Sequence, residues 1–540
     1  MTKSHSSRQP RPARYEPRPA TDAPDQLTQT APRARVLALP AALATGLGAV
    51  ALLTTYQILE RSFLGAAGVL LLWCAALFVS ARRTNRALSI EFVARPQHWM
   101  QAIGQGALIL YVAYHITLFR AILPFILIQL VFAYAFDSLL SWSRRDRYTL
   151  TFGPFPIIFS INLFLQFRPE WFYWQFVLIA VGFAAKEFIR WTKDGRPAHI
   201  FNPSSFPLAV FSFALLLTGQ SNATLGNAIA NAFADTPHIY LAILLVALPG
   251  QLLFGVARVT VAAAITMYVV GLCYLATTGT YLMYDAFIPP AVFIGMHLLV
   301  TDPATSPKTE LGRLAFGVLY GLLTTVCFVI LDRIGAPTFY DKLLPIPLLN
   351  LMAPRIDAIM RARTFSLPQP AAFSRLPARV RPNVLYTSLW IGLFVALNAI
   401  RALGDDHPGQ YLPFWYDACR GGNVRACTYV VRQNVVHCRN GSGWACNEVG
   451  LVRQRRGEPA AVADFRRACE LGFPAGCDNL GRSSSSAAPP ERRAPIARDL
   501  PILLAGSKPP LEERDPVKLY ALACNQGWRG ACAGELAAQP

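Results

Sequence analysis

Long apolar segments alternate with short polar connections between residues 36 and 401. Most are about 17–25 residues long, the length that a helix needs to cross a bilayer. The segments that fit transmembrane helices are residues 36–59, 63–81, 103–137, 150–167, 171–189, 204–219, 239–256, 259–278, 287–301, 313–332, 338–354 and 385–400. Residues 103–137 hold one long span or two short ones, and the proline-rich residues 338–354 fit a span, a re-entrant piece or an interfacial helix. The pattern predicts an all-α fold, a polytopic transmembrane bundle of about 10–12 spans at residues 36–401.

Charged residues between the spans predict how the bundle is oriented. Residues 1–35 carry seven Lys or Arg side chains and lack apolar periodicity, which predicts a disordered basic tail in the cytoplasm. Six arginines between Arg355 and Arg381 accompany one acid, Asp357, so this loop is also expected in the cytoplasm. The last span then carries the chain across. We expect a multi-pass protein of a bacterial inner membrane, with residues 402–540 on the periplasmic (extracytoplasmic) side.

Composition agrees with this assignment and excludes one class of partner. The chain is 53% hydrophobic and 15% charged, with a mean hydropathy of +0.34, which is too apolar for a soluble enzyme of this length. Its net charge of +19 does not predict a nucleic-acid partner, because the arginines lie in short clusters between apolar spans. The expected surroundings of the bundle are the lipid bilayer.

Eight of the eleven cysteines form four pairs with one spacing, seven residues between the two members. The pairs are Cys419/Cys427, Cys438/Cys446, Cys469/Cys477 and Cys524/Cys532. A glycine-bearing loop lies inside each pair and helix-like sequence outside it, so each pair is predicted to join the end of one short helix to the start of the next. Closing such a loop is worth about 2–3 kcal/mol. Tetrathiolate zinc sites usually show closer cysteine spacing, so disulfides are favoured and no metal site is predicted.

This cysteine-rich tail resembles the Sel-one-like helical repeats, which are related to tetratricopeptide repeats. The resemblance covers residues 416–481 and 514–536, with a Ser- and Pro-rich insert at residues 483–513. It implies a concave surface that binds an extracytoplasmic protein. The alternative is a tail that only stabilises the end of the membrane domain.

Two breaks between apolar segments carry polar residues that fit a binding site. The first is Asn202-Pro203-Ser204-Ser205, and the second runs from Thr301 and Asp302 to Thr305. Asn and Asp accept hydrogen bonds from backbone N–H groups at a helix start, and Pro fixes the backbone there. Helix N-termini beside hydroxyl groups form anion or phosphate sites. The alternative is a pair of capped turns between helices.

The stretches that contain these breaks, HIFNPSSFPLAV at residues 199–210 and HLLVTDPATSPKTELGRLAFGVLYGLL at residues 297–323, resemble the RnfD/NqrB family. Residues 153–167 resemble its divergent UnbU-type branch, and the resemblance spans about residues 85–350. It implies a membrane subunit of an ion-translocating electron-transport complex, with other membrane redox subunits as partners and FMN or another flavin as cofactor. In the family the flavin phosphate is attached to a Thr in a Ser-Gly-Ala-Thr-like motif. The corresponding sequence here is Ser-Asn-Ala-Thr, which ends at Thr224, and this similarity makes Thr224 the candidate attachment point. The sequence departs from the motif because it lacks the Gly.

Other functions remain open at this stage. A transporter whose broken helices bind a small anion fits the same breaks, and so does a cofactor-free membrane scaffold. His115 and His297 are candidate haem ligands if they face each other at one depth. Classical ATPase, hydrolase and zinc-protease motifs do not occur in the sequence, and no catalytic residue is assigned.

Overall fold

A computed structural model describes residues 28–29, 36–193, 196–361, 380–404, 407–483, 491–493, 496, 499–505, 515–525, 528 and 531–532. Most of the predicted disordered tail and of the arginine-rich loop therefore lies outside the described residues. One part of the tail differs from the prediction. Thr28–Gln29 forms a short strand, because its backbone pairs antiparallel with residues 90 and 91.

The fold is predominantly helical, as predicted. The helices of the membrane domain are α1 (Ala38–Leu52), α2 (Gln57–Arg83), α3 (Pro96–His115), α4 (Thr117–Arg144), α5 (Pro154–Asn162), α6 (Tyr173–Phe188), α7 (Ser205–Leu217), α8 (Gly226–Asp235), α9 (Ile239–Phe254), α10 (Ala257–Thr278), α11 (Pro290–Ile294), α12 (Glu310–Arg333), α13 (Pro345–Met360) and α14 (Arg381–Ala399). A π-helical turn, Gly295–Leu299, continues α11, and short 3₁₀ turns lie at Pro169–Trp171, Ser221–Ala223, Thr338–Tyr340 and Pro408–Gln410.

Six helical segments in the described part are long and apolar enough to cross a membrane. They are α2, α4, α10, α12, α14 and Thr338–Met360, which contains α13. A seventh span results if α8 and α9, which meet at 101°, count as one bent span. The apolar helices α1, α7 and Pro290–Leu299 are shorter. Several predicted spans are thus built from short or broken helices.

The breaks have local causes. The predicted span at residues 36–59 is interrupted after Leu52, where two β-branched threonines and an extended Tyr56 precede α2. Residues 103–137 form two helices, because Ile116 between α3 and α4 has extended backbone. The predicted span at residues 150–167 contains only the nine-residue α5.

Two small sheets accompany the helices. β1 (Thr28–Gln29), β2 (Ser89–Phe92) and β3 (Arg147–Leu150) form one sheet, in which β2 and β3 are parallel. β4 (Arg190–Lys193) and β5 (Arg196–His199) form a hairpin. The sequence pattern does not predict these strands, because each is only two to four residues long.

Charged side chains collect at one end of the bundle, here called the basic face. Arg86 pairs there with Asp146, and Arg145 and Arg190 both pair with Glu187. The N-terminal ends of α10 and α12 reach the same face. These two helices pack closely, because a Cβ on Gly317 or Gly321 would press on the backbone of α10.

The tail is a row of short helices joined by disulfides. The helices are α15 (Leu412–Arg420), α16 (Val424–Arg439), α17 (Gly443–Arg455), α18 (Ala461–Glu470), α19 (Pro474–Ser483), α20 (Leu500–Ala505) and α21 (Pro516–Asn525). Gly422, Gly441 and Gly472 adopt positive φ in three of the connecting loops, a conformation that L residues with a Cβ rarely adopt. Helix α20 lies inside the insert predicted at residues 483–513. It packs onto the tail, because Leu500 and Leu503 are buried in the tail core.

All four predicted disulfides are present, with Cα–Cα distances of 4.5–4.7 Å. They are Cys419–Cys427, Cys438–Cys446, Cys469–Cys477 and Cys524–Cys532. The first three join the end of one helix to the start of the next, as predicted. The fourth joins Cys524, near the end of α21, to Cys532, and the described residues 531–532 are helical.

Two of the disulfide sulfurs also lie close to backbone carbonyls. Cys427 Sγ is 3.4 Å from the Cys419 carbonyl, and Cys532 Sγ is 3.8 Å from the Trp528 carbonyl. A sulfur in a disulfide carries no hydrogen, so these are packing contacts and not hydrogen bonds. They show that each sulfur is packed against the loop that its own disulfide closes.

The tail docks on the end of the bundle opposite the basic face. Arg425 of α16 donates to the carbonyls of Tyr281 (2.7 Å) and Leu282, and its guanidinium lies 4.2 Å from the ring centre of Tyr284. Arg425 also pairs with Asp332 at the end of α12 (3.5 Å). The Tyr429 ring stacks on Tyr284 at 4.4 Å. The first helices of the tail therefore form a continuous packed unit with the membrane domain.

Candidate functional site

The Asn202 turn is held by its own side chain. Asn202 Oδ1 accepts hydrogen bonds from the Ser204 backbone N–H (2.9 Å), the Ser204 hydroxyl (2.8 Å) and the Ser205 N–H (3.1 Å). Pro203 lies between Asn202 and Ser204, and α7 begins at Ser205. The sequence therefore builds a capped helix start here, and its Ser204 hydroxyl is already engaged.

The second turn, from Thr301 to Thr305, has the same kind of local closure. Asp302 accepts from the Ala304 N–H (3.1 Å) and from the Thr305 hydroxyl (3.2 Å). The Thr301 hydroxyl donates to the His297 carbonyl in the preceding π-helical turn. The Thr301 and Thr305 hydroxyl groups, which the sequence suggests for an anion site, thus already donate hydrogen bonds within the protein.

The structure brings these two turns together. The Asn202 side-chain amide donates to the Leu299 carbonyl (3.3 Å), just before the second turn. Asn350 of α13 bridges them, because it accepts from the Asn202 N–H (3.1 Å) and donates to the Thr305 carbonyl (3.5 Å). All partners are buried. The turns form one hydrogen-bonded unit near the basic face.

A polar cavity of about 160 Å³ lies against this unit. Its lining includes the cationic or titratable side chains Arg95, His98, Lys186 and His199, together with Asp302. The first two come from the start of α3, Lys186 from α6 and His199 from β5. This arrangement places more positive than negative charge around the cavity and is suited to an anion.

Gln105 is a further residue of this cavity that the sequence does not reveal. Its side chain is 2% exposed and its amide nitrogen donates to the Ser160 hydroxyl (3.1 Å), but its Oε1 atom has no partner among the described residues. An unpartnered buried acceptor beside a polar cavity is suited to a water or a ligand donor. Arg95 and His98 lie at the start of α3 and Gln105 lies at its middle, and no motif in the sequence marks them.

Thr224 lies apart from both turns. The Asn202 turn precedes α7 and Thr224 follows it, so the 13-residue helix separates them by roughly 20 Å at 1.5 Å per residue. The Thr224 side chain is buried, and its hydroxyl donates to the Ser221 carbonyl (3.1 Å). The predicted cofactor-binding residues therefore divide into two sites at opposite ends of the bundle.

An aromatic cavity of about 310 Å³ lies beside Thr224. Its walls include Phe167, Trp171, Trp174 and Phe211, while Thr218 and Gln220 add polar groups. Phe167 pairs with Thr224 through a backbone bridge, which fixes this wall next to the threonine. The volume is at the lower end for small-molecule sites, about 300–1,000 Å³.

These residues fit a flavin in part. Flat aromatic walls suit an isoalloxazine ring, which stacks on such side chains. Attachment of a phosphate to Thr224 would require its hydroxyl to leave the Ser221 carbonyl, since the side chain points into the protein. The cavity is therefore suited to hold the isoalloxazine ring, whereas the inward-pointing Thr224 hydroxyl is poorly placed for covalent attachment of the flavin phosphate.

The haem alternative finds little support in the geometry. Both ring nitrogens of His297 already have partners, because Nδ1 lies 2.7 Å from the Phe293 carbonyl and Nε2 accepts from Trp390 (3.2 Å). His115 is at the far end of α3, about 25 Å along the helix from His98, which lines the polar cavity. His297 lies near that cavity, because the neighbouring residue Leu298 also lines it. The two histidines lie at different depths.

Comparison with known proteins gives a partial match. Residues 100–366 match the family model described as the NQR2, RnfD, RnfE family. A subunit of the ion-translocating oxidoreductase complex of Erwinia tasmaniensis is 32% identical over 106 residues, which cover 18% of this chain and 28% of that protein. The aligned part thus spans less than a third of this relative. No solved structure matches the chain. Both matches support the NQR2, RnfD, RnfE family for the membrane domain, and the tail lies outside the residues that match the family model.

Proposed function

We propose that the protein is a membrane subunit of an ion-translocating oxidoreductase complex and that it holds a flavin. The observation that carries this proposal is the family match over residues 100–366, which contains the Asn202 turn, Thr224 and the Asp302 turn. The Erwinia tasmaniensis relative belongs by its name to such a complex. Other membrane redox subunits would be its partners, and the UnbU-like and Sel-one-like assignments are parts of the same proposal.

The aromatic cavity is the flavin site that we propose. Trp171, Trp174 and Phe211 would hold the ring by stacking and keep water away from it. Gln220 would orient its polar edge by hydrogen bonding. A bound flavin would supply one- and two-electron transfer. Because the Thr224 hydroxyl is directed inward, we expect binding without a covalent bond.

Substitution of a cavity tryptophan tests this site. Trp174→Ala removes one aromatic wall, so we expect protein purified in detergent to lose most of its yellow chromophore relative to wild type. Trp99→Ala is a matched control, since both side chains are 40% exposed and Trp99 lies near the start of α3, at the basic face. Equal flavin content in the two variants would contradict the assignment of the cavity.

The orientation that we propose places the N-terminus in the cytoplasm and the tail in the periplasm. Cationic residues gather at the basic face, and the tail docks at the opposite end, which agrees with the positive-inside rule. The four disulfides of the tail suit an oxidising compartment. A membrane-impermeant protease added to intact spheroplasts should cleave the tail and spare the basic face. Cleavage only after the membrane is broken would refute this orientation.

A small-anion transporter is the second candidate, and the polar cavity favours it. Arg95 and Lys186 give this cavity a net cationic lining beside Asp302. Under this alternative, the purified protein would be colourless and would bind inorganic phosphate in calorimetry, and Lys186→Ala would weaken the binding. A colourless protein without phosphate binding would leave the cofactor-free scaffold as the remaining function.

A further inference from the structure

The inner faces of α17 and α19 hold polar side chains that a small helical domain rarely buries. Asn447, Glu448 and Asn479 are each at most 1% exposed. Buried polar groups of this kind need partners, because an unpaired one costs about 1–3 kcal/mol. Most of their partners come from one short stretch of the chain, residues 491–493, which lies inside the predicted insert.

Asn479 holds the backbone of this stretch with two hydrogen bonds. Its amide nitrogen donates to the Glu491 carbonyl (2.8 Å), and its Oδ1 accepts from the Glu491 N–H (2.6 Å). Asn447 orients that amide by accepting from it at 2.7 Å. The Trp444 indole N–H donates to the Arg493 carbonyl (3.1 Å). The bonds that Asn479 and Trp444 make to this stretch all reach its backbone atoms, so they hold the peptide chain and leave its side chains free to vary.

One contact selects a side chain. Arg492 reaches Glu448 at 2.8 Å, and the Glu448 side chain is only 2% exposed. The neighbouring pair, Arg493 with Asp478 at 3.2 Å, is 48% and 42% exposed and therefore contributes little. The groove thus combines a backbone clamp with one buried carboxylate for a cationic residue.

The chain's own stretch does not use all of the groove. The buried atoms Glu448 Oε1 and Asn447 Nδ2 have no hydrogen-bond partner among the described residues. A guanidinium placed to donate two parallel bonds would satisfy Glu448 completely. An incompletely paired occupant is one that a better-fitting peptide can displace.

The stretch can also leave without taking the tail apart. Its neighbours are anchored separately, because Leu500 and Leu503 of α20 and Leu519 of α21 are buried in the tail core. The Cys469–Cys477 disulfide fixes α19 to α18 independently of the groove. Removal of residues 491–493 therefore exposes the groove without cutting these links.

We propose that the groove between α17 and α19 binds an extended, arginine-bearing segment of an extracytoplasmic protein, and that residues 491–493 are a built-in occupant that competes with it. Binding of the partner segment displaces the chain's own stretch and places an arginine on Glu448. The proposal does not rest on the redox function, because the groove lies outside the residues of the family match.

A peptide-binding experiment on the full-length protein in detergent tests this. The probe is a fluorescein-labelled peptide with the sequence of residues 487–497, followed by fluorescence anisotropy. In the test variant, a Gly-Ser linker of equal length replaces residues 484–495. We expect this variant to bind the probe at least about tenfold more tightly than wild type, since the internal competitor is gone.

Two further variants make the result specific. Asn479→Ala in the linker background removes the backbone clamp and should weaken binding by about tenfold, the equivalent of one to two hydrogen bonds. Arg466→Ala is the control, because Arg466 is exposed on α18 and should change nothing. A probe in which Glu replaces Arg492 should bind neither the Asn479→Ala variant nor the Arg466→Ala variant.

The outcomes separate the proposal from a purely structural role. If the linker variant unfolds, Arg492→Ala with Arg493→Ala in the intact chain replaces it, and its fold is checked by the absence of alkylatable tail thiols. A folded variant that does not bind the probe would overturn the proposal and make residues 491–493 a permanent part of the tail. Equal binding by wild type and the linker variant would refute the competition.

Discussion

The contact between Arg425 and the membrane domain gives the sharpest test of how the tail is attached. Arg425→Ala leaves the carbonyls of Tyr281 and Leu282 without their donor, at a cost of about 1–3 kcal/mol each. It also removes the cation–π contact with Tyr284, worth about 0.5–2 kcal/mol. We expect the docking of the tail to weaken by about 3–5 kcal/mol in total.

The matched control is Arg432→Ala. Arg432 pairs with the same carboxylate, Asp332, at 3.4 Å, but its side chain is 52% exposed, whereas that of Arg425 is 21% exposed. An exposed ion pair contributes about 0–1 kcal/mol, so this substitution should leave the docking nearly unchanged. Arg425→Lys should fall between the two, because an ammonium cannot donate to both carbonyls with the fixed fork of a guanidinium.

Hydrogen–deuterium exchange of the purified protein measures the docking. Arg425→Ala should raise the exchange of the loop at residues 279–289 and of the first turns of α16 by roughly 100- to 4,000-fold, since 1.4 kcal/mol corresponds to a factor of ten. The four disulfides should stay intact, which separates undocking from unfolding. Equal exchange in Arg425→Ala and Arg432→Ala would refute the role given to the buried arginine.

Substitutions at three other places test separate parts of the structure. Replacing Cys438 and Cys446 together by Ser should lower the stability of the tail by about 2–3 kcal/mol in thermal unfolding, and wild-type protein prepared without reductant should yield no alkylated tail cysteine. Burial raises the pKa of Glu448 from 4.5 to about 7, so its contribution to stability is complete below the lower value and is lost as the pH rises through the higher one. The melting temperature of Glu448→Gln should therefore gain several degrees on that of wild type between about pH 5 and pH 8, and a constant difference would contradict this. Asn202→Ala should cost about 2–4 kcal/mol, because it removes the cap of α7 and the bond to the Leu299 carbonyl; Asn202→Asp, which retains the acceptor, should cost less.

Much of the fold is readable from sequence because its causes are local. The spacing of the tail cysteines and the glycines between them predicts stapled helix pairs, and Gly422 and Gly441 adopt the backbone conformation that such loops need. Apolar length predicts the long spans in the same way. The breaks at Leu52 and Ile116 are less visible, since they depend on small differences in helix propensity.

The candidate sites are only partly predictable. The Asn202 and Asp302 turns are visible because capping residues at helix starts are a local signal, and their meeting agrees with the paired motifs. The roles of Arg95 and Gln105 cannot be predicted from the sequence. The packing of α3 against neighbouring helices brings them to the cavity, and no local sequence pattern indicates this packing. Thr224 follows the Asn202 turn closely in sequence, but the 13-residue α7 lies between them, and this separation follows only from the folded helix. The contact of Asn479 with Glu491 also depends on the folded path of the chain.

The flavin content of the purified protein tests the central claim most directly. Protein purified in detergent is precipitated with acid, and the visible spectrum of pellet and supernatant is recorded together with mass spectrometry of the Thr224 peptide. The account predicts about one flavin per chain, released into the supernatant, with an unmodified Thr224 peptide, and its loss in Trp174→Ala. A colourless wild-type protein would contradict the redox function, and a flavin retained on the Thr224 peptide would contradict the non-covalent site.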